Sequence, residues 1–165
     1  ISSSSQWFTE TLMTFEDLLQ EVEKEGIDFY ENNCIGKLKG LYVDNTITLN
    51  SCLETEAEKK CVLAEELGHH FTSYGNIMDL SKIENRKQER RARAWAYDRL
   101  IGITGLINAY KHGCRNRYEI AEYLNVSEQF LEEAINYYRE KYGLFYKIDN
   151  YILYFNPLSV IEQFE

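Results

Sequence analysis

The stretch LAEELGHHF, residues 63–71, decides how this chain is read. It is one residue short of HExxH, the helical spacing in which two histidines one turn apart grip a zinc ion while the adjacent glutamate acts as a base. Residues i and i+4 of a helix project from the same face. Glu65 and His69 have that spacing, and Glu66 occupies the place of the base. The departure is Glu65, which stands where the first histidine is expected. A carboxylate also ligates zinc, so the exchange alters such a site without erasing it.

The flanking residues predict a helix around this stretch. Thr55 and Glu58 fit the Thr-x-x-Glu capping box at its start, and Gly75 suits its end. Ala57, Cys61, Ala64 and Gly68 repeat at helical spacing and form a small-residue stripe that a second helix can approach closely. That second helix is predicted at about 85–101, with KQERRARAWAY at residues 87–97. Its Glu89, Ala92 and Ala96 share one face, so a carboxylate followed by two alanines can settle against the stripe and bring Glu89 in as a third ligand. A hydrolytic zinc site needs three protein ligands and one open position. Plainer readings stand beside this one: a histidine pair with no metal, Glu89 as an intrahelical ion-pair partner, and Arg90, Arg91, Arg93 and Arg99 as a solvated face.

Working outward, TFEDLLQEVEKEGI (14–27) predicts a helix capped by Thr14 and ended by Gly26. KLKGLYVDNTITLN (37–50) predicts a hairpin turning at Asp44-Asn45, and NIMDLSKIE (76–84) a loop. GLINAYKHG (105–113) continues as a helix after the Gly102 and Gly105 interruption. NRYEIAEYLNVSEQFLEEAINYYREKYG (116–143) reads as two helices, with Ser127 capping the second. LFYKIDNYILYFNP (144–157) closes the chain as a hairpin turned at Asp149-Asn150. The expected class is α+β, mostly helical with a small antiparallel sheet. The expected organisation is a leader at 1–12, a core at 13–110, and a C-terminal helical segment with its hairpin at 111–165, packed on the core. The serine-rich ISSSSQWFTETL is read as foreign to the native chain or disordered, with the native chain starting at Met13.

Composition narrows the functional classes. The 165 residues carry a formal net charge of −9, a poor match for a polyphosphate surface. EIAEYLNVSEQFLEEAINYY (119–138) has a helix-turn-helix-like pattern, but Glu128, Glu132 and Glu133 on its second helix would face phosphates badly, so no direct nucleic-acid contact is expected. Cys34, Cys52, Cys61 and Cys114 form no CxxC pair and read as free thiols of a reducing compartment. No apolar run is long enough to span a membrane and no signal peptide is evident. A cytoplasmic location, away from membranes, is expected.

VLAEELGHHFTSYGNI (62–77) followed by RKQERRARAWAYDRLI (86–101) resembles the ImmA/IrrE metallopeptidases, of the type carried by prophages and integrative elements. The resemblance runs from about Met13 to the C-terminal hairpin. It implies a zincin-like minimal fold in which a strand layer precedes the site helix. It further implies that Glu66 is the catalytic base and that Glu65, His69 and Glu89 are the metal ligands. The partner it implies is a helix-turn-helix repressor of a mobile element, which such a protein cleaves or inactivates. Two residues depart from the family pattern: Glu65 replaces a histidine, and Arg91 replaces a second glutamate in the downstream stretch. Two carboxylate ligands would largely neutralise Zn²⁺ and tilt the site toward Mn or Fe. A rotated site using Glu66 and His70 is an alternative, and Tyr74 is one of several tyrosines placed to assist. The rival function is a non-catalytic antirepressor that binds the repressor stoichiometrically through a degenerate metallopeptidase fold.

Overall fold

Thr14 opens the first helix with a reciprocal cap. Its hydroxyl accepts from the Asp17 N–H, and the Asp17 carboxylate accepts from the Thr14 N–H. The computed structural model describes residues 12–73 and 82–164. The chain divides after Leu100 into two units, 13–100 and 101–165.

The first unit contains α1 (Phe15–Lys24), β1 (Asp28–Asn32), β2 (Gly40–Val43), β3 (Thr46–Asn50), α2 (Glu56–Thr72) and α3 (Lys82–Leu100). The expected hairpin is β2–β3. Asp44 and Asn45 both take positive φ, 48° and 57°, which matches the twist a two-residue turn needs. The strand order is β1-β3-β2, so β3 is central and β2 is an edge. β1 was not anticipated, and it pairs with β3 in parallel, so this sheet is mixed where an antiparallel one was expected. The register puts Phe29, Ile47 and Tyr42 in one row, and Leu49 and Gly40 in the next, on one face. Ile47 and Leu49 are fully buried there, while Leu41 and Val43 lie on the opposite face and are exposed.

α2 starts at the predicted cap, where the Thr55 hydroxyl accepts from the Glu58 N–H. The reciprocal half of the box is absent, because the Glu58 carboxylate reaches the Glu54 N–H instead. The helix ends at Thr72, with Ser73 extended, short of the expected stop. Gly75, most of the predicted 76–84 loop and Tyr74 lie outside the described residues. α3 begins at Lys82, three residues earlier than predicted. The two helices cross on the small-residue faces: Ala64, Ala92 and Ala96 are fully buried and Cys61 nearly so. Lys60 is also buried, and its ammonium donates to the Met13 carbonyl at 3.0 Å.

The second unit contains α4 (Gly102–Lys111), α5 (Arg117–Leu124), α6 (Glu128–Tyr142), β4 (Phe145–Ile148), β5 (Tyr151–Phe155) and β6 (Leu158–Glu162). α4 thus groups with the C-terminal elements. Asn125 in the left-handed region joins α5 to α6, and Ser127 caps α6 as predicted. The terminal sheet is antiparallel in the order β4-β5-β6, one strand more than the expected hairpin. Tyr138, Leu131, Ala134, Leu153 and Phe155 form its interior. None of the four cysteines is joined in a disulfide; Cys61 and Cys114 are buried, Cys34 and Cys52 exposed. Among the described residues, no helix is long and apolar enough to cross a membrane.

Candidate active site

The first unit holds a cleft of about 490 Å³ lined by β2, α2 and α3. All four residues expected to form the site line it: Glu65, Glu66 and His69 from α2, and Glu89 from α3. The alanine face of α3 explains how Glu89 gets there. With Ala92 and Ala96 packed against α2, the residue one turn before Ala92 is carried to the level of His69. The His69 Nε2 and Glu89 Oε1 atoms stand 3.4 Å apart.

Glu66 is buried, 8% exposed. Its pKa is pushed up to about 7, chiefly by burial. The His69 charge opposes this, the Glu65 and Glu89 carboxylates add to it, and a hydrogen bond from the Tyr42 backbone N–H opposes it. Burial pulls His69 toward the neutral form, but the Glu89 hydrogen bond and the charges of Glu89, Glu66 and Glu65 outweigh it, so its pKa is raised. Glu89 is held below the usual carboxylate range, first by its hydrogen bond to His69.

The approach of β2 to Glu66 depends on Gly40. A Cβ at Gly40 would lie 2.6 Å from Val62 Cγ1 and 2.8 Å from Glu66 Oε1. Because β2 is an edge, half of its backbone groups face away from β3. The Asn50 N–H donates to the Lys39 carbonyl, which puts Lys39, Leu41 and Val43 in the bonded set and turns the Gly40 and Tyr42 peptide groups outward.

The donor set fits a metal only in part. Two ligands of a tetrahedral zinc, each roughly 2.0–2.1 Å from the ion, are separated by about 3.4 Å, and His69 Nε2 and Glu89 Oε1 have that separation. Among the described residues, however, no three His, Cys, Asp or Glu side chains are grouped to hold an ion. Glu65 lines the cleft without completing a triad. His70, the alternative ligand, is committed elsewhere, to the Tyr42 hydroxyl at 2.8 Å and the Glu25 carboxylate at 3.3 Å. Arg91 is exposed on α3, whereas Arg93, Gln88 and Asn85 line the cleft wall.

Gly40, Tyr42 and Glu25 were not anticipated. Gly40 lies 26 residues before Glu66 and Glu25 45 residues before His70, and no local pattern signals either contact. A family model for the IrrE N-terminal-like domain, peptidase family M78, matches residues 13–136. A search of curated proteins finds no match.

Proposed function

The chain belongs to the IrrE N-terminal-like family of M78 peptidases, and from that premise we propose that it is a metal-dependent endopeptidase whose substrate is a helix-turn-helix repressor of a prophage or other mobile element. The observation that carries this reading is the gathering of Glu65, Glu66, His69 and Glu89 in one cleft beside an edge strand. An extended substrate segment can add to β2 through the outward Gly40 N–H and the outward carbonyls of Gly40 and Tyr42, which sets a scissile carbonyl alongside Glu66. Glu66, with a pKa about 7, takes a proton from the attacking water and returns it to the leaving amine. His69 and Glu89 would hold the metal, with Glu65 as the third ligand. The ion, zinc or with so many oxygen donors manganese or iron, supplies Lewis acidity when bound.

One observation favours the stoichiometric antirepressor as a second reading: no third ligand joins His69 and Glu89 among the described residues. The decisive experiment mixes the purified protein with the repressor encoded beside it, with metal content measured in parallel. Fragments that disappear in Glu66→Gln, while the complex persists, support the enzyme. A stable complex without fragments, in protein that takes up no metal when zinc, manganese or iron is added, supports the binder.

A further inference from the structure

Glu66 and His70 lie one turn apart on α2, and both meet β2. A Cβ at Gly40 would stand 2.8 Å from Glu66 Oε1, and His70 Nδ1 stands 2.8 Å from the Tyr42 hydroxyl. The far side of the imidazole faces α1, where Nε2 lies 3.3 Å from Glu25 Oε2. A carboxylate can only accept, so Nε2 carries the proton. In the neutral ring Nδ1 is then an acceptor, and the Tyr42 hydroxyl donates to it. The chain of donors runs from Tyr42 through His70 to Glu25 and links β2, α2 and α1.

The ring is fixed by packing as well. Tyr42 meets it edge-on with centroids 5.6 Å apart, and Phe71 meets its other flank at 5.0 Å. Phe71 in turn stacks on Trp95 of α3 at 5.1 Å. The imidazole is thus partly buried, 19% exposed, and it does not line the cleft.

We infer that His70 is a positioning residue: held by Glu25, it clamps the Tyr42 side chain and thereby sets the edge strand β2 against Glu66. An edge strand has a neighbour on one side only, so its distance from α2 needs a separate restraint. Gly40 removes the steric barrier to close approach, and the His70–Tyr42 bond holds the strand there. The consequence is a fixed spacing between the substrate-pairing edge and the proton-carrying carboxylate. The purpose of the clamp rests on the function proposed above, but its existence does not.

The Leu41 and Val43 amides offer a direct readout, because they pair with β3 and their protection reports how firmly the edge strand is held. Amide hydrogen exchange is measured by NMR on the full chain without substrate, so a failure to cleave any repressor leaves the result interpretable. Tyr42→Phe and His70→Ala should each speed exchange at Leu41 and Val43 by about tenfold, the loss of roughly one hydrogen bond, while the central-strand amides of Ile47 and Leu49 keep their protection. His70→Asn, which keeps an acceptor near the Nδ1 position, should restore most of the protection lost in His70→Ala. Glu25→Ala should give an intermediate rate. Unchanged exchange at Leu41 and Val43 in both Tyr42→Phe and His70→Ala would overturn the inference. So would a parallel loss of protection at Ile47 and Leu49, which would mark His70 as a general stability contact.

Discussion

Gly68 of α2 lies directly beneath the backbone of Ala92 of α3: a Cβ at Gly68 would stand 2.3 Å from the Ala92 carbonyl oxygen and 3.0 Å from its Cα. The obstacle is backbone, which cannot rotate aside as a side chain would. Gly68→Ala is expected to push the helices apart at a cost of about 2–3 kcal/mol, at the upper end of the range for overpacking. Because Gly68 adjoins His69, and Glu89 is one turn before Ala92, the same displacement should separate the His69–Glu89 pair. Urea denaturation would give the stability change, and the His69 ring signal in NMR would report the separation. An unchanged midpoint would mean that the helices do not meet at this contact.

Gly40→Ala tests the opposite wall of the cleft. The added methyl meets Val62 and Glu66 side-chain atoms at 2.6 and 2.8 Å. Side chains yield more readily than backbone, so the expected stability loss is smaller, about 1–2 kcal/mol. Glu66 is one of the groups that must move, so if the chain is the proposed endopeptidase, cleavage of the repressor should fall by more than tenfold, a larger effect than the melting temperature would suggest. Cleavage that tracks the folded fraction alone would count against a close fit of β2 to Glu66.

The Gly68 contact shows where the sequence was legible, and the Gly40 contact where it was not. The small stripe through Cys61, Ala64 and Gly68 and its counterpart at Ala92 and Ala96 are local periodicities, and they led directly to Glu89. Capping and turn residues were equally readable: Thr14, Thr55, Ser127 and the Asp44-Asn45 turn all serve as expected. β1 was hidden because DFYEN lacks apolar alternation; its exposed residues include Asp28, Tyr30 and Glu31. β6 was hidden behind Pro157, which suggested that the strands had ended. The Tyr42–His70–Glu25 chain spans 28 and 45 residues of sequence and exists only once three elements have packed.

The His69–Glu89 pair makes its own pH-dependent prediction for metal-free protein. The raised His69 pKa means the folded state holds its proton more tightly than the unfolded chain. The stabilisation is fully present below the ordinary histidine pKa and is lost as pH rises through the folded value. The lowered Glu89 pKa acts at the other end: its contribution is present above the ordinary carboxylate range and is lost as pH falls through the folded value. Because the Glu89 side chain is 56% exposed, solvent screening limits the pair to under about 1 kcal/mol. Glu89→Gln should lower the His69 pKa, followed by the ring proton shift across pH 5–9. An unmoved titration would break the link between α3 and His69.

Glu66 is the stronger test of the electrostatics, since it is buried and its shift is the larger. An ordinary glutamate has a pKa of 4.5, whereas Glu66 is pushed up to about 7. Between those values the folded state binds a proton that the unfolded chain has released, so stability falls as pH rises from about 4.5 through 7 and is level above that. The shift corresponds to about 3 kcal/mol. Glu66→Gln keeps an acceptor for the Tyr42 N–H and removes the ionisation. The variant is therefore expected to be more stable than the parent by about 2–3 kcal/mol at pH 8 and nearly equal to it at pH 4.5. Urea midpoints measured on metal-free protein at both pH values decide the matter. A parent and variant that differ equally at the two pH values would show that Glu66 ionises in the fold as it does in the unfolded chain. A metal that binds the cleft should narrow the gap at pH 8, because a cation beside Glu66 favours its carboxylate form, and repeating the pH 8 measurement with added zinc or manganese reads that directly.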